Sequence, residues 1–133
     1  MKVFFDHNMS SVMARAFREL FSNQHTITTL AERFQPDTAD IEWIGTLSRE
    51  GQWVVLSGDR RITRNRAEYN AFRSSNLLGF FLSKGLHKAT VAKQMERILA
   101  LWENIETVAR TVDPRNNSVD GLAQPARRSS ICE

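Results

Sequence analysis

The run Trp53-Val54-Val55-Leu56-Ser57 is apolar at every position except its last. A strand with one wet face alternates apolar and polar side chains. A strand without that alternation is buried on both faces, which places it inside a parallel sheet covered by helices above and below. Three more short apolar runs can flank it: Lys2-Val3-Phe4-Phe5, the β-branched stretch 25–30, and 77–82. Between them, apolar residues recur at helical spacing. Ser10 or Ser11 caps a first helix carrying Val12, Met13, Ala16, Phe17, Leu20 and Phe21 on one stripe. Gln35-Pro36-Asp37 leads into a second, capped by Asp37 or Thr38, with Ile41, Ile44 and Leu47 on one helical face and Gly51 closing it. A third is expected over about 66–73. A long fourth, about 90–110, carries Val91, Met95, Ile98, Trp102, Ile105 and Val108.

Strands alternating with amphipathic helices predict an α/β fold around a mostly parallel sheet of about four strands. The 133 residues suffice for one domain and fall short of two. After Val112 bulky apolar residues nearly vanish, so the domain is expected over 1–112 and a flexible tail over 113–133. The single cysteine, Cys132, cannot form an internal disulfide, and the opening apolar run stops at Asp6, too early for a secretory signal. No stretch reaches the ~18 apolar residues of a membrane span. These features read as a cytoplasmic protein. Trp43, Trp53 and Trp102 fall on core periodicities and are expected to pack.

In open parallel sheets ligands bind beyond the carboxyl ends of the strands. Asp6 follows the first strand, Asp59 lies two residues beyond Ser57, and Asp40 stands in the first turn of a helix entering from the same edge. Three converging carboxylates repel unless a cation or protons neutralise them. Oxygen ligands suit Mg²⁺ or Mn²⁺ rather than zinc, and such a centre suits phosphodiester hydrolysis. Each acid also has an architectural explanation: a loop or cap role for Asp6, a helix-dipole contact for Asp40, a turn for Asp59. Glu42 lies about 200° round the helix from Asp40. Arg60, Arg61, Arg64, Arg66 and Arg73, opposed locally by Glu68 alone, form a cationic cluster beside Asp59. It fits the phosphates of a nucleic acid, an acidic protein partner, or a solvated helix face. His7 is ambiguous in direction, and His25 and His87 stand isolated in sequence.

Lys2-Val3-Phe4-Phe5-Asp6-His7-Asn8, Asp40-Ile41-Glu42-Trp43-Ile44, and Trp53-Val54-Val55-Leu56-Ser57-Gly58-Asp59-Arg60-Arg61-Ile62, in that order, resemble the PIN-like domains related to VapC toxins. Leu78-Gly79-Phe80-Phe81-Leu82 is similar to the strand that follows, and the resemblance spans about residues 1–110. It implies an α/β/α sandwich and Mg²⁺- or Mn²⁺-dependent cleavage of RNA, often by a toxin held in check by an antitoxin protein. A homodimer is compatible with it. Asp6, Asp40 and Asp59 match the acidic positions, Ser57 the hydroxyl position where a metal-bound water is ordered, and Asn8 the polar residue after the first acid. One departure stands out. Many members carry a further acid where this chain has Arg61, which leaves a one-metal enzyme, a substitute ligand such as Glu42 or Glu68, or a binding protein without strong activity. A receiver-like phosphoacceptor, using Asp59 and Lys84, is the remaining alternative.

Overall fold

The computed structural model describes residues 1–58 and 66–111. Four strands, β1 (Lys2–Phe5), β2 (Thr26–Thr29), β3 (Trp53–Ser57) and β4 (Leu78–Phe81), form one sheet in the order β2-β1-β3-β4. Every pairing is parallel, with Phe4 opposite Thr28 on one side and Val55 on the other. The expected α/β architecture holds, and β3 is the buried interior strand its composition demands.

Strand alternation sorts the core into two layers. Val3, Phe5, Val54, Leu56 and Phe80 face helices α1 (Ser11–Leu20), α6 (Val91–Ala100) and α7 (Trp102–Thr111), meeting Met13, Phe17, Ile98, Trp102 and Ile105. Phe4, Val55 and Phe81 face α3 (Asp40–Glu50) and α4 (Arg66–Ser74), meeting Trp43, Ile44, Leu47 and Phe72. Phe4 is fully buried and stacks on Trp43 at 5.2 Å between ring centroids. Pairs of this kind contribute about 0.5–1.5 kcal/mol beyond their area burial. All three tryptophans pack in the core, as expected.

Local chemistry sets most of the boundaries. The Ser10 hydroxyl accepts the Val12 and Met13 N–H groups and caps α1. Gly51, at φ 81°, closes α3 in the backbone region that glycine enters without strain. Gly79 serves sterically: a Cβ there would lie 2.6 Å from the Phe72 ring, so α4 lies closely on β4.

Several expectations are corrected. The β2 stretch ends at Thr29, because Thr29 caps a short helix, α2 (Leu30–Arg33), accepting the Glu32 N–H while its hydroxyl donates to Glu32. That reciprocal capping box overrides the extended preference of the residues before it. Neither Asp37 nor Thr38 caps α3; Ala39 does, with no side-chain bond, and the Thr38 hydroxyl donates to the Gln35 carbonyl. On α1, Val12 and Leu20 are exposed and Ala14 is buried in the inward stripe. Ser83 caps an unforeseen helix, α5 (Lys84–His87), and the long terminal helix is two, broken at Leu101. No Gly or Pro marks that break. It accompanies tertiary packing, with Trp102 flat against Phe21 at 4.6 Å. Val91 is exposed, and buried Gln94 lies on the inner face instead. The tail expected over 113–133 lies outside the described residues. Among the described residues no helix is long and apolar enough to cross a membrane.

At the amino edge of the sheet, Arg33 pairs with Glu50, and Glu50 also accepts the Trp53 indole N–H at 2.8 Å. The Arg33 hydrogen bonds are the main cause that holds the Glu50 carboxyl at about 2. A depressed carboxyl contributes stability that is complete above its unfolded value near 4.5 and lost as pH falls towards 2. Glu50→Gln is therefore expected to lower the urea midpoint at pH 7. The gap from wild type should narrow between pH 4.5 and 2, and a pH-independent gap would refute the assignment. Solvent screening of this half-exposed pair keeps the effect to about 1 kcal/mol or less. Gly79→Ala is expected to destabilise by about 1–3 kcal/mol through overpacking, with partial rescue by Phe72→Leu, both read by urea unfolding.

Candidate active site

The strand order places a topological switch point between β1 and β3. From β1 the chain crosses to β2 on one side, then returns to enter β3 on the other. In sheets of this kind the connections on either side of a switch point leave in opposite directions, and the crevice at the carboxyl ends of the two strands is where ligands bind. Asp6 and Ser57 stand there, each one residue past the last β1–β3 register pair, Phe5 with Leu56.

Asp6 is 2% exposed. Its backbone N–H continues the ladder to the Leu56 carbonyl at 3.0 Å. Its carboxylate accepts three hydrogen bonds. The Ser57 hydroxyl donates to Oδ2 at 2.9 Å, and the His7 backbone N–H lies 2.7 Å from Oδ1. The His7 ring Nδ1 lies 2.9 Å from the same oxygen, resolving the direction the sequence left open. A buried, unpaired carboxylate is costly, and charge-assisted donors of this kind offset part of that cost. The hydroxyl of fully buried Ser57 orients the Asp6 carboxylate. Asn8 Oδ1 accepts the Gly58 N–H at 3.0 Å, tying the loop after β1 to the end of β3.

Asp40 opens α3. Because α3 runs back between parallel strands, its first turn lies at the carboxyl edge, and α3 covers the sheet face shared by Phe4 and Val55. Alternation assigns Asp6 and Ser57 to that same face. The Trp43 indole N–H donates to Asp40 Oδ1 at 2.8 Å. Since Trp43 stacks on Phe4, Asp40 is referenced to β1 through two aromatic rings. Glu42 is exposed on another side of α3, as its spacing requires, and Arg66 is exposed at the start of α4. Asp59, Arg60, Arg61 and Arg64 lie outside the described residues, directly after Gly58.

The donors present are carboxylate, amide and hydroxyl oxygens, a set that fits Mg²⁺ or Mn²⁺ and does not fit a thiolate- or imidazole-preferring ion. Among the described residues no three His, Cys, Asp or Glu side chains converge, so Asp6 and Asp40 would need a further acid. Asp59, next to Gly58 in the chain, is the nearest in sequence.

One neighbour escaped the sequence reading. His87, at the end of α5, lies with its ring against Gly58; a Cβ on Gly58 would be 2.3 Å from its Nδ1. Its position after β4 was the available signal, since whatever follows β4 emerges beside the end of β3.

The Ser57–Asp6 contact yields a direct test. Ser57→Ala removes a buried hydrogen bond to a carboxylate and is expected to cost about 1.5–3 kcal/mol in urea unfolding. A wild-type midpoint would show that the contact contributes nothing net.

No curated protein and no solved structure matches the chain. A family model described as a PIN like domain matches residues 1–84, from β1 to the first residue of α5, and so takes in Asp6, Asp40, Ser57 and Asp59. With nearly two thirds of its length matched, on a wholly parallel sheet with helices on both faces, the chain belongs to the PIN-like domain family, a family of nuclease type.

Proposed function

We propose that the protein is a divalent-metal-dependent ribonuclease that hydrolyses phosphodiester bonds at the carboxyl edge of β1 and β3. The observation that carries this reading is the buried Asp6 carboxylate at the switch point, oriented by Ser57 and flanked by the Asn8–Gly58 clasp. Such a carboxylate, buried at the carboxyl ends of two adjacent strands, is suited to receiving a cation.

Asp6, Asp40 and Asp59 would hold Mg²⁺ or Mn²⁺, which when bound polarises the phosphoryl oxygen and lowers the pKa of an attacking water. The chain's own contribution is positional. Ser57 fixes the Asp6 carboxylate in rotation, Trp43 fixes Asp40, and the Asn8 amide holds the two strand ends together. Asn8, Ser57 and Glu42 would support the acidic centre, and Arg60, Arg61, Arg64 and Arg66 would carry the substrate's phosphates. The finer reading is the toxin half of a toxin–antitoxin pair of VapC type, with an antitoxin protein as partner and a homodimer as the working form. The match to a PIN like domain leaves the phosphoacceptor alternative without support.

Asp6→Asn and Asp59→Asn are expected to lower metal-dependent cleavage of single-stranded RNA by on the order of 100-fold or more, with thermal melting little changed. Chelation is expected to abolish cleavage by the wild type. Full activity in both variants would sink the proposal. Arg61, standing where many relatives have an acid, favours a second reading, a binding protein with little activity. Calorimetric titration separates the two, since that reading requires negligible Mg²⁺ or Mn²⁺ binding.

A further inference from the structure

The turn after β4 is an unusual piece of surface. No acidic residue occurs between Glu68 and Glu96, while Lys84, His87 and Lys88 cluster within five residues of that stretch. All three side chains are exposed, and none forms an ion pair among the described residues. Three other cations are engaged in ion pairs: Arg18 with Glu32, Arg33 with Glu50, Lys93 with Glu96. Lys84 and Lys88 stand four residues apart at the two ends of α5, a like-charge spacing that is mildly destabilising on its own and is relieved by an anion.

The turn is also fastened in place. The Leu82 N–H donates to the Ser57 carbonyl at 2.9 Å, extending the β3–β4 ladder to the crevice. Ser83 then caps α5 by accepting the Leu86 N–H, and Leu86 is buried in the core. Behind the turn, the buried Gln94 amide nitrogen reaches the carbonyls of Leu86 at 3.0 Å, His87 at 3.0 Å and Ala89 at 3.4 Å. These bonds satisfy carbonyls at the end of a helix too short to satisfy its own. Held this way, the His87 ring lies against Gly58, whose N–H is bound by Asn8. A preorganised rim, whose two lysines have no ion pair among the described residues, thus borders the crevice on its β4 side, separate in sequence from the arginines that follow Asp59.

We propose that Lys84, His87 and Lys88 form a binding rim for the phosphates of single-stranded RNA entering the crevice over β4, with Gln94 as the residue that positions it. This rests on the ribonuclease reading above. Each phosphate neutralised on a single strand contributes about 0.7 to the slope of log affinity against log salt. Loss of two lysine contacts therefore lowers that slope by roughly 1.4.

The test uses the full chain carrying Asp6→Asn, so that labelled RNA is bound without turnover, followed by fluorescence anisotropy across a salt series with and without Mg²⁺. Adding Lys84→Gln with Lys88→Gln is expected to weaken binding about tenfold at moderate salt and to reduce the slope by 1–2. Lys93→Gln, an exposed lysine paired with Glu96, is expected to change neither. In otherwise wild-type protein, His87→Gln is expected to raise KM for RNA cleavage several-fold with kcat little changed, an effect a purely structural role would not produce. Unchanged affinity and slope in the double lysine variant overturn the rim and leave the ribonuclease reading standing. If the parent binds no RNA in either condition, the ribonuclease reading falls and the rim falls with it.

Discussion

The parallel pairing of β1 with β3 is the constraint from which the rest of this structure follows. Two strands far apart in sequence, with Phe4 set opposite Val55, can pair in parallel only if the intervening chain crosses back over the sheet. That return is made through β2 on the far side and α3 on one face, so the pairing creates the switch point and brings the α3 amino end to it. The same register sets Asp6 beside Ser57, and one residue of slip would turn the Asp6 carboxylate to the opposite face. Phe4, with Trp43, Phe34 and Trp53 around its ring, makes such a slip costly.

Around that pairing the molecule separates packing from polarity. The carboxyl edge carries a buried carboxylate supplied with donors by Ser57 and His7. The amino edge carries Arg33, Glu50 and Lys2 around Trp53, fully engaged with one another and with the aromatic face. Both are charged clusters next to the same strands. At the amino edge each charge has a partner, Arg33 with Glu50 and Lys2 over the Trp53 ring. At the carboxyl edge Asp6 pairs with no lysine or arginine among the described residues.

Rigidity at the carboxyl edge comes from side chains that bind backbone rather than each other. Asn8 holds the Gly58 N–H, Ser83 holds the Leu86 N–H, and Gln94 gathers three carbonyls behind α5. Turns at strand ends leave backbone groups without partners, and each of these bonds removes one such liability while fixing where a neighbouring side chain sits.

The sequence by itself determined the fold class, the four strands, and the edge at which Asp6, Ser57 and Asp40 stand. These depend on hydrophobic periodicity and on a residue's place relative to a strand end, both local properties. It also carried the α1 cap at Ser10 and the α3 stop at Gly51, where one residue's chemistry suffices. Tertiary structure alone decided that Ser57 holds Asp6, that Trp43 stacks on Phe4 and so ties Asp40 to β1, that the last helix breaks at Leu101, and that a histidine isolated in sequence lies against Gly58. Each of these is a contact between residues of different elements, or follows from such packing. Its geometry is set by how layers stack and strands register, and no window along the chain contains both partners.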